Sequence, residues 1–112
     1  MQYIQIQMTF PTVELANEMA TKLVQGKLVA CAQVCSAIQS VYTWNGVCET
    51  SEETLLLAKT TLPLFERVEL AVRVDHPYEC PQIIALPIIA ANQDYLRWLL
   101  EQLPEPEESK PF

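Results

Sequence analysis

Apolar and polar residues alternate from the start of the chain: Ile4, Ile6, Met8 and Phe10 are separated by Gln5, Gln7 and Thr9. A period of two places the apolar set on one face and predicts a strand with one covered and one polar side. The period then lengthens. Leu15, Ala16, Met19, Ala20, Leu23 and Val24 make a stripe at helical spacing, with Thr12 as N-cap, Glu14 in the first turn and Gly26 placed to end the helix. Residues 28–34 and 38–44 are rich in Val, Ile, Tyr and Trp and predict extended chain. Asn45-Gly46 supplies the two positive-φ residues that a two-residue hairpin requires, so a returning strand is expected over 47–59.

Thr60-Thr61-Leu62-Pro63 opens a second helix, with Pro63 near the first helical position, where its missing N–H costs little. Leu64, Val68, Ala71 and Val72 form its buried face. The run His76-Pro77-Tyr78-Glu79-Cys80-Pro81 predicts a stiff loop, because each proline drives its predecessor toward extended backbone. Residues 83–88 form a short apolar strand whose Pro87 cannot donate to a ladder, which places it at an edge or a strand end. Asn92 then caps a helix carrying Tyr95, Leu96, Trp98, Leu99 and Leu103. Strand, helix, strand, strand, helix, strand is the split βαβ order. The predicted fold is α+β and ferredoxin-like, with an extended β-hairpin and a C-terminal helix. It fills one domain over 1–103, and an acidic, proline-rich stretch over 104–112 is expected to be a frayed tail.

Composition narrows the function. A chain of 112 residues with 50% hydrophobic content can build one core and has no room for a second domain. Its net charge of -7 opposes the counterion-release attraction to phosphate backbones, which removes nucleic acid and anionic membranes from the candidate partners. The same charge favours cations near the surface. The start of the chain lacks a basic segment and a continuous apolar run, and the uncharged stretch 28–48 is broken by Gln33, Ser36, Gln39, Ser40, Asn45 and Gly46. No membrane insertion and a cytoplasmic location are expected. Cys31, Cys35, Cys48 and Cys80 form no C-x-x-C pair, and packed, inert thiols are expected. With only two glycines, the chain has no glycine-rich phosphate loop and no G-x-S-x-G elbow.

Geometry points to assembly. A domain of this size has a radius of gyration of about 13 Å and a diameter of roughly 34 Å. The strand expected over 47–59 reaches about 43 Å when extended. The hairpin therefore overshoots its domain, carrying Val41, Tyr42 and Trp44 at its tip. Apolar groups projected together into water mark an interaction surface, and other subunits would cover them.

Candidate chemistry is sparse. His76, the only histidine, stands beside Asp75, Tyr78 and Glu79. It either hydrogen-bonds a neighbouring carbonyl and organises the loop, which is the leading reading, or binds metal with ligands from elsewhere. Tyr42, Trp44, Tyr78, Tyr95 and Trp98 suit packing first and a ligand cleft second. Lys59 ends an apolar strand and calls for a carboxylate such as Glu52, Glu53 or Glu79. Cys31 and Cys35 share one face of a regular strand.

The blocks Lys27-Leu28-Val29-Ala30-Cys31-Ala32, Tyr42-Thr43-Trp44-Asn45-Gly46, Ser51-Glu52-Glu53, Lys59-Thr60, His76-Pro77-Tyr78-Glu79, Ile84-Ala85-Leu86-Pro87 and Tyr95-Leu96-Arg97-Trp98-Leu99 closely resemble the CutA family of divalent-cation tolerance proteins. The resemblance spans residues 1 to about 103 and implies a homotrimer of ferredoxin-like subunits whose hairpins join sheets between copies. It also implies a link to copper and other divalent metal ions. The positions that relatives use for copper correspond here to Met8, Asp75 and His76, of which only His76 keeps the residue type. A thioether from Met8 suits Cu(I) and an Asp75 oxygen suits Cu(II), so weak copper or other divalent-cation binding is expected. Where relatives often carry Gly-Asn, this chain has Ala91-Asn92. The expected function is a non-enzymatic trimer in metal tolerance. The alternative is a PII-like small-molecule sensor with Tyr42, Trp44, Lys59 and Glu79 lining a cleft between subunits. An enzyme using Cys31 or His76 ranks last, because no base and orienting group stand beside either.

Overall fold

The computed structural model describes residues 2–104; apart from Pro104, the expected tail lies outside the described residues. The chain runs β1 (Tyr3–Phe10), α1 (Val13–Gln25), β2 (Cys31–Trp44), β3 (Val47–Thr61), a 3-10 turn (Leu62–Leu64), α2 (Phe65–Asp75), β4 (Ile83–Pro87) and α3 (Gln93–Glu101). The four strands form one antiparallel sheet in the order β2-β3-β1-β4, the ferredoxin-like arrangement. Ile4, Ile6, Met8 and Phe10, on one face of β1 as their alternation requires, pack with Leu56 and Ala58 of β3. Ala16, Met19 and Leu23 of α1 and Val68 and Val72 of α2 close that core. Val24 is the exception in the predicted α1 stripe and is 40% exposed, because it sits at the rim of the helical face.

Thr12 caps α1 as expected, its Oγ1 accepting from the amide of Leu15 at 3.2 Å. The other end differs from expectation. Gly26 keeps an ordinary φ of -80°, and Lys27 takes the left-handed turn at φ 60°. The amides of Lys27 and Leu28 then reach back to Val24 and Leu23, the paired bonds of a Schellman cap.

The segments 38–44 and most of 28–34 belong to one strand. β2 is continuous over 14 residues, interrupted between Cys35 and Ile38 by a bulge in which Ala37 has φ 67°. Asn45 and Gly46, at φ 53° and 79°, make the expected tight turn. β1 reaches β3 only as far as Phe10↔Thr54, whereas β2 and β3 stay paired out to Trp44↔Val47. Beyond Thr54 the hairpin is therefore a two-stranded ribbon. The extents of 46 × 33 × 24 Å and a radius of gyration of 15.0 Å register this overshoot against the roughly 13 Å of a spherical domain.

Thr60 Oγ1 donates to the carbonyl of Leu28 at 2.8 Å, which ties β3 to the α1–β2 connection just before Pro63 turns the chain into α2. β4 is an edge strand and ends at Pro87, as a residue without an N–H demands. Leu99 of α3 packs against Ala30 and Leu64 with Tyr3 and Tyr95 alongside; Leu103, expected on the helix, joins them from just beyond its end at Glu101. Asn92 occupies the N-cap position but its side chain does not cap; Asp94 instead takes the amide of Tyr95 at 3.1 Å. None of the described helices is long and apolar enough to cross a membrane.

Candidate functional site

α2 ends at Asp75 and delivers His76 beneath the end of β1. The last residue of β1 paired with β4 is Met8, opposite Ile83, so the chain beyond it lacks that neighbour. His76 fills the gap. Its Nε2 lies 2.8 Å from the carbonyl oxygen of Thr9, and its Nδ1 accepts the amide of Tyr78 at 3.2 Å. An Nδ1 that accepts leaves the proton on Nε2, which then donates to Thr9. The ring stacks on Phe10 at 4.5 Å and meets Tyr78 at 4.8 Å. The loop-organising reading of His76 describes this geometry.

From there Tyr78 reaches outward. Its hydroxyl donates to Glu53 Oε2 at 2.6 Å, a short bond to a carboxylate that is only 9% exposed. Burial, followed by the Glu53 carboxylate, pushes the Tyr78 phenol far above its ordinary value. Sequence reading named both residues but did not join them, since they lie 25 positions apart and neither stands in a recognised motif.

The three residues aligned with a metal site are already occupied in this chain. Met8 has no exposed surface and belongs to the core. Asp75 pairs at 2.5 Å with Lys22 of α1, whose ammonium also donates to the carbonyl of Ala71. Both ring nitrogens of His76 have partners. Among the described residues no three His, Cys, Asp or Glu side chains gather as a ligand set. The donors therefore do not fit a preformed metal centre within one chain. A cavity of about 500 Å³ beside Asp75 is floored by Phe10, Leu15 and Met19 and bordered by Glu18, so beyond one buried thioether its donors are two carboxylates, of which Asp75 is paired with Lys22.

The cleft candidates are likewise spread out. Tyr42 and Trp44 stand exposed near the hairpin tip, with Tyr42 Oη donating to Ser51 at 3.3 Å. Lys59 lies ten residues along β3 from Glu49, the register partner of Tyr42, or about 33 Å away. The expected carboxylate partner of Lys59 is replaced by Gln33, whose Oε1 accepts at 2.7 Å, because Gln33 is diagonal to it across the β2–β3 pair while Glu53 is taken by Tyr78. Glu79 is exposed in the loop. One chain does not bring these four together.

The thiols also differ from expectation. Cys35, Cys48 and Cys80 are exposed in the single chain rather than packed, and all four cysteines are free. Cys31 is half-buried with its sulfur 3.2 Å from Tyr95 Oη. Burial and then this contact hold the Tyr95 phenol up, at about 12.

Comparison with known proteins agrees with this architecture. Residues 4–102 match the model of the CutA1 divalent ion tolerance protein family. The divalent-cation tolerance protein CutA of Thermus thermophilus is 41% identical over 93 residues, covering 83% of this chain and 90% of that protein. The chloroplastic CutA protein of Arabidopsis thaliana is 38% identical over 96 residues, 86% of this chain; the chain spans only 53% of that plant protein. Among solved structures, CutA1 from Oryza sativa superposes with a TM-score of 0.90 at 36% identity, covering 93% of this chain and 95% of that one. The Thermus thermophilus structure gives 0.88 at 37% identity, with 91% and 99% covered. With a family match from β1 through α3 and the same fold in its relatives, the chain belongs to the CutA1 divalent ion tolerance family.

Proposed function

We propose that this protein acts in divalent-cation tolerance as a non-enzymatic homotrimer in the cytoplasm, and that it holds copper or another divalent cation only weakly. The observation that carries the assembly is the ribbon beyond Thr54, whose tip exposes Val41, Tyr42, Trp44 and Val47. A two-stranded ribbon is marginal in water and leaves a free edge, and pairing with neighbouring copies satisfies both its backbone and its apolar side chains. The sheet face opposite α1 and α2 adds area, since Ile84 and Leu86 on β4 are exposed beside Gln5 and Gln7. Cyclic closure of three such subunits covers every hairpin. Four free thiols suit a reducing compartment.

Weak cation binding follows from the prior engagement of the donors. A cation at His76 displaces either the Thr9 or the Tyr78 bond, and one at Asp75 competes with Lys22. His76, Asp75 and Met8 remain the residues proposed to respond to metal. Calorimetric titration with Cu(II), thiols blocked, tests this. The wild type is expected to bind weakly and His76→Ala more weakly still; equal affinity removes His76 from the site. A second reading is a PII-like sensor; because Tyr42 and Trp44 lie too far from Lys59 in one chain to share a ligand, its cleft would have to lie between two copies. A metabolite thermal-shift screen that raises the melting temperature supports it.

A further inference from the structure

We infer that the Tyr78–Glu53 hydrogen bond is a latch that fixes the direction in which the hairpin leaves the domain; its effect on assembly rests on the trimeric reading above. Glu53 is the first residue of β3 beyond the cover of β1, which ends at Phe10↔Thr54. Its register partner on β2 is Ile38, the first residue after the bulge that begins at Cys35 and holds Ala37 at φ 67°. Bulges bend and twist the strand that carries them, and a two-stranded ribbon has no third strand to resist that bending. The hairpin therefore starts at a hinge.

Among the described residues, and outside the strand ladder, the one hydrogen bond that joins the ribbon over 36–53 to another element is the 2.6 Å bond from Tyr78. Tyr78 is itself fixed. Its amide is held by His76 Nδ1, and His76 is anchored on the Thr9 carbonyl and against the Phe10 ring. A continuous path of support thus runs from the end of β1, through the loop after α2, to the hairpin root. The Glu53 carboxylate is nearly buried, and a buried charge without a partner turns toward water, taking its backbone with it. Loss of the Tyr78 hydroxyl releases the root.

The lever is long. Seven residues from Ile38 to Trp44 extend about 23 Å, so a swing of about 10° moves the tip by roughly 4 Å, close to the spacing between neighbouring strands. A displacement of that size breaks register with a neighbouring copy. The latch makes the loop after α2 a positioning element for subunit pairing.

Tyr78→Phe removes only the hydroxyl, while Glu53→Gln keeps an acceptor for it. Two readouts are needed: sedimentation across a dilution series, and backbone amide exchange resolved for 38–53 and for β1. The latch predicts that Tyr78→Phe raises the dissociation constant at least about tenfold and speeds exchange across 38–53, with β1 amides unchanged, while Glu53→Gln stays within about threefold of wild type. Wild-type assembly and unchanged ribbon exchange in Tyr78→Phe overturn it. A monomeric wild type refutes the trimeric reading alone; ribbon exchange in Tyr78→Phe then still decides for the latch if faster and against it if unchanged. Equal acceleration in Glu53→Gln also counts against the latch, because it points to the charge rather than to the hydrogen bond.

Discussion

His76 donates from Nε2 to the Thr9 carbonyl at 2.8 Å, so the chain's only histidine closes the open end of β1 where β4 no longer reaches. The same ring receives the Tyr78 amide and lies on Phe10. Its removal leaves a half-buried carbonyl and an amide without partners and opens space beside a core phenylalanine. His76→Ala is therefore expected to lower unfolding free energy by about 2 kcal/mol, the scale of one unsatisfied buried group plus a lost ring contact. Urea denaturation measures it. A change below about 0.5 kcal/mol shows that the ring does not hold the loop.

Two positions store backbone strain that glycine relieves. Lys27 at φ 60° and Ala37 at φ 67° occupy the left-handed region, where a Cβ costs about 1–2 kcal/mol. Part of the gain is offset by the larger entropy of glycine in the unfolded chain. Lys27→Gly and Ala37→Gly are each expected to stabilise by about 0.5–1 kcal/mol, read as a higher denaturation midpoint with unchanged slope. A lower midpoint in either contradicts the assignment of strain there.

Two phenols should ionise late. Burial pushes Tyr78 upward, with help from Glu53, and holds Tyr95 at about 12, with help from Cys31. Well below pH 10 both are neutral whether the chain is folded or not. As the pH rises through about 10, the unfolded chain releases protons that the folded chain retains, so folded-state stability falls with increasing pH. Alkaline titration followed by phenolate absorbance is expected to show late phases that disappear in Tyr78→Phe and Tyr95→Phe. Titration of the intact protein with no phase above pH 11 contradicts these environments.

Local physics wrote most of the fold into the sequence. The alternation of β1, the Thr12 cap and the Asn45-Gly46 turn each act over a few residues and each stands where its pattern placed it. The bulge was not legible, because alanine at φ 67° carries none of glycine's signal and tertiary pairing imposes the conformation. The left-handed residue at Lys27 was hidden for the same reason, with Gly26 beside it as the stronger local cue. At the candidate site, the prolines made the loop legible and a carbonyl bond from His76 was the leading of two readings, but its partner, the Thr9 carbonyl 67 positions away, was not legible. The link from His76 to Glu53 through Tyr78 was hidden too, since residues far apart in sequence meet only once β3 and the loop are both placed. Lys59 illustrates the limit of charge matching: the nearest acceptor across the strands was the Gln33 amide.

Trp44 closes the hairpin opposite Val47 and is 43% exposed in the single chain. A large aromatic that becomes buried between copies contributes at least about 2 kcal/mol at the centre of an interface. Trp44→Ala is expected to shift the dilution midpoint for dissociation upward at least about thirtyfold, while circular dichroism of the variant stays native. An unchanged midpoint assigns Trp44 to another role.

Assembly through the hairpin is the claim on which the proposed function stands, and sedimentation equilibrium at micromolar concentration tests it most directly. A single species at three times the chain mass of 12.7 kDa, or about 38 kDa, is expected. A species of 12.7 kDa, with the ribbon and its aromatic tip left free in solution, contradicts it.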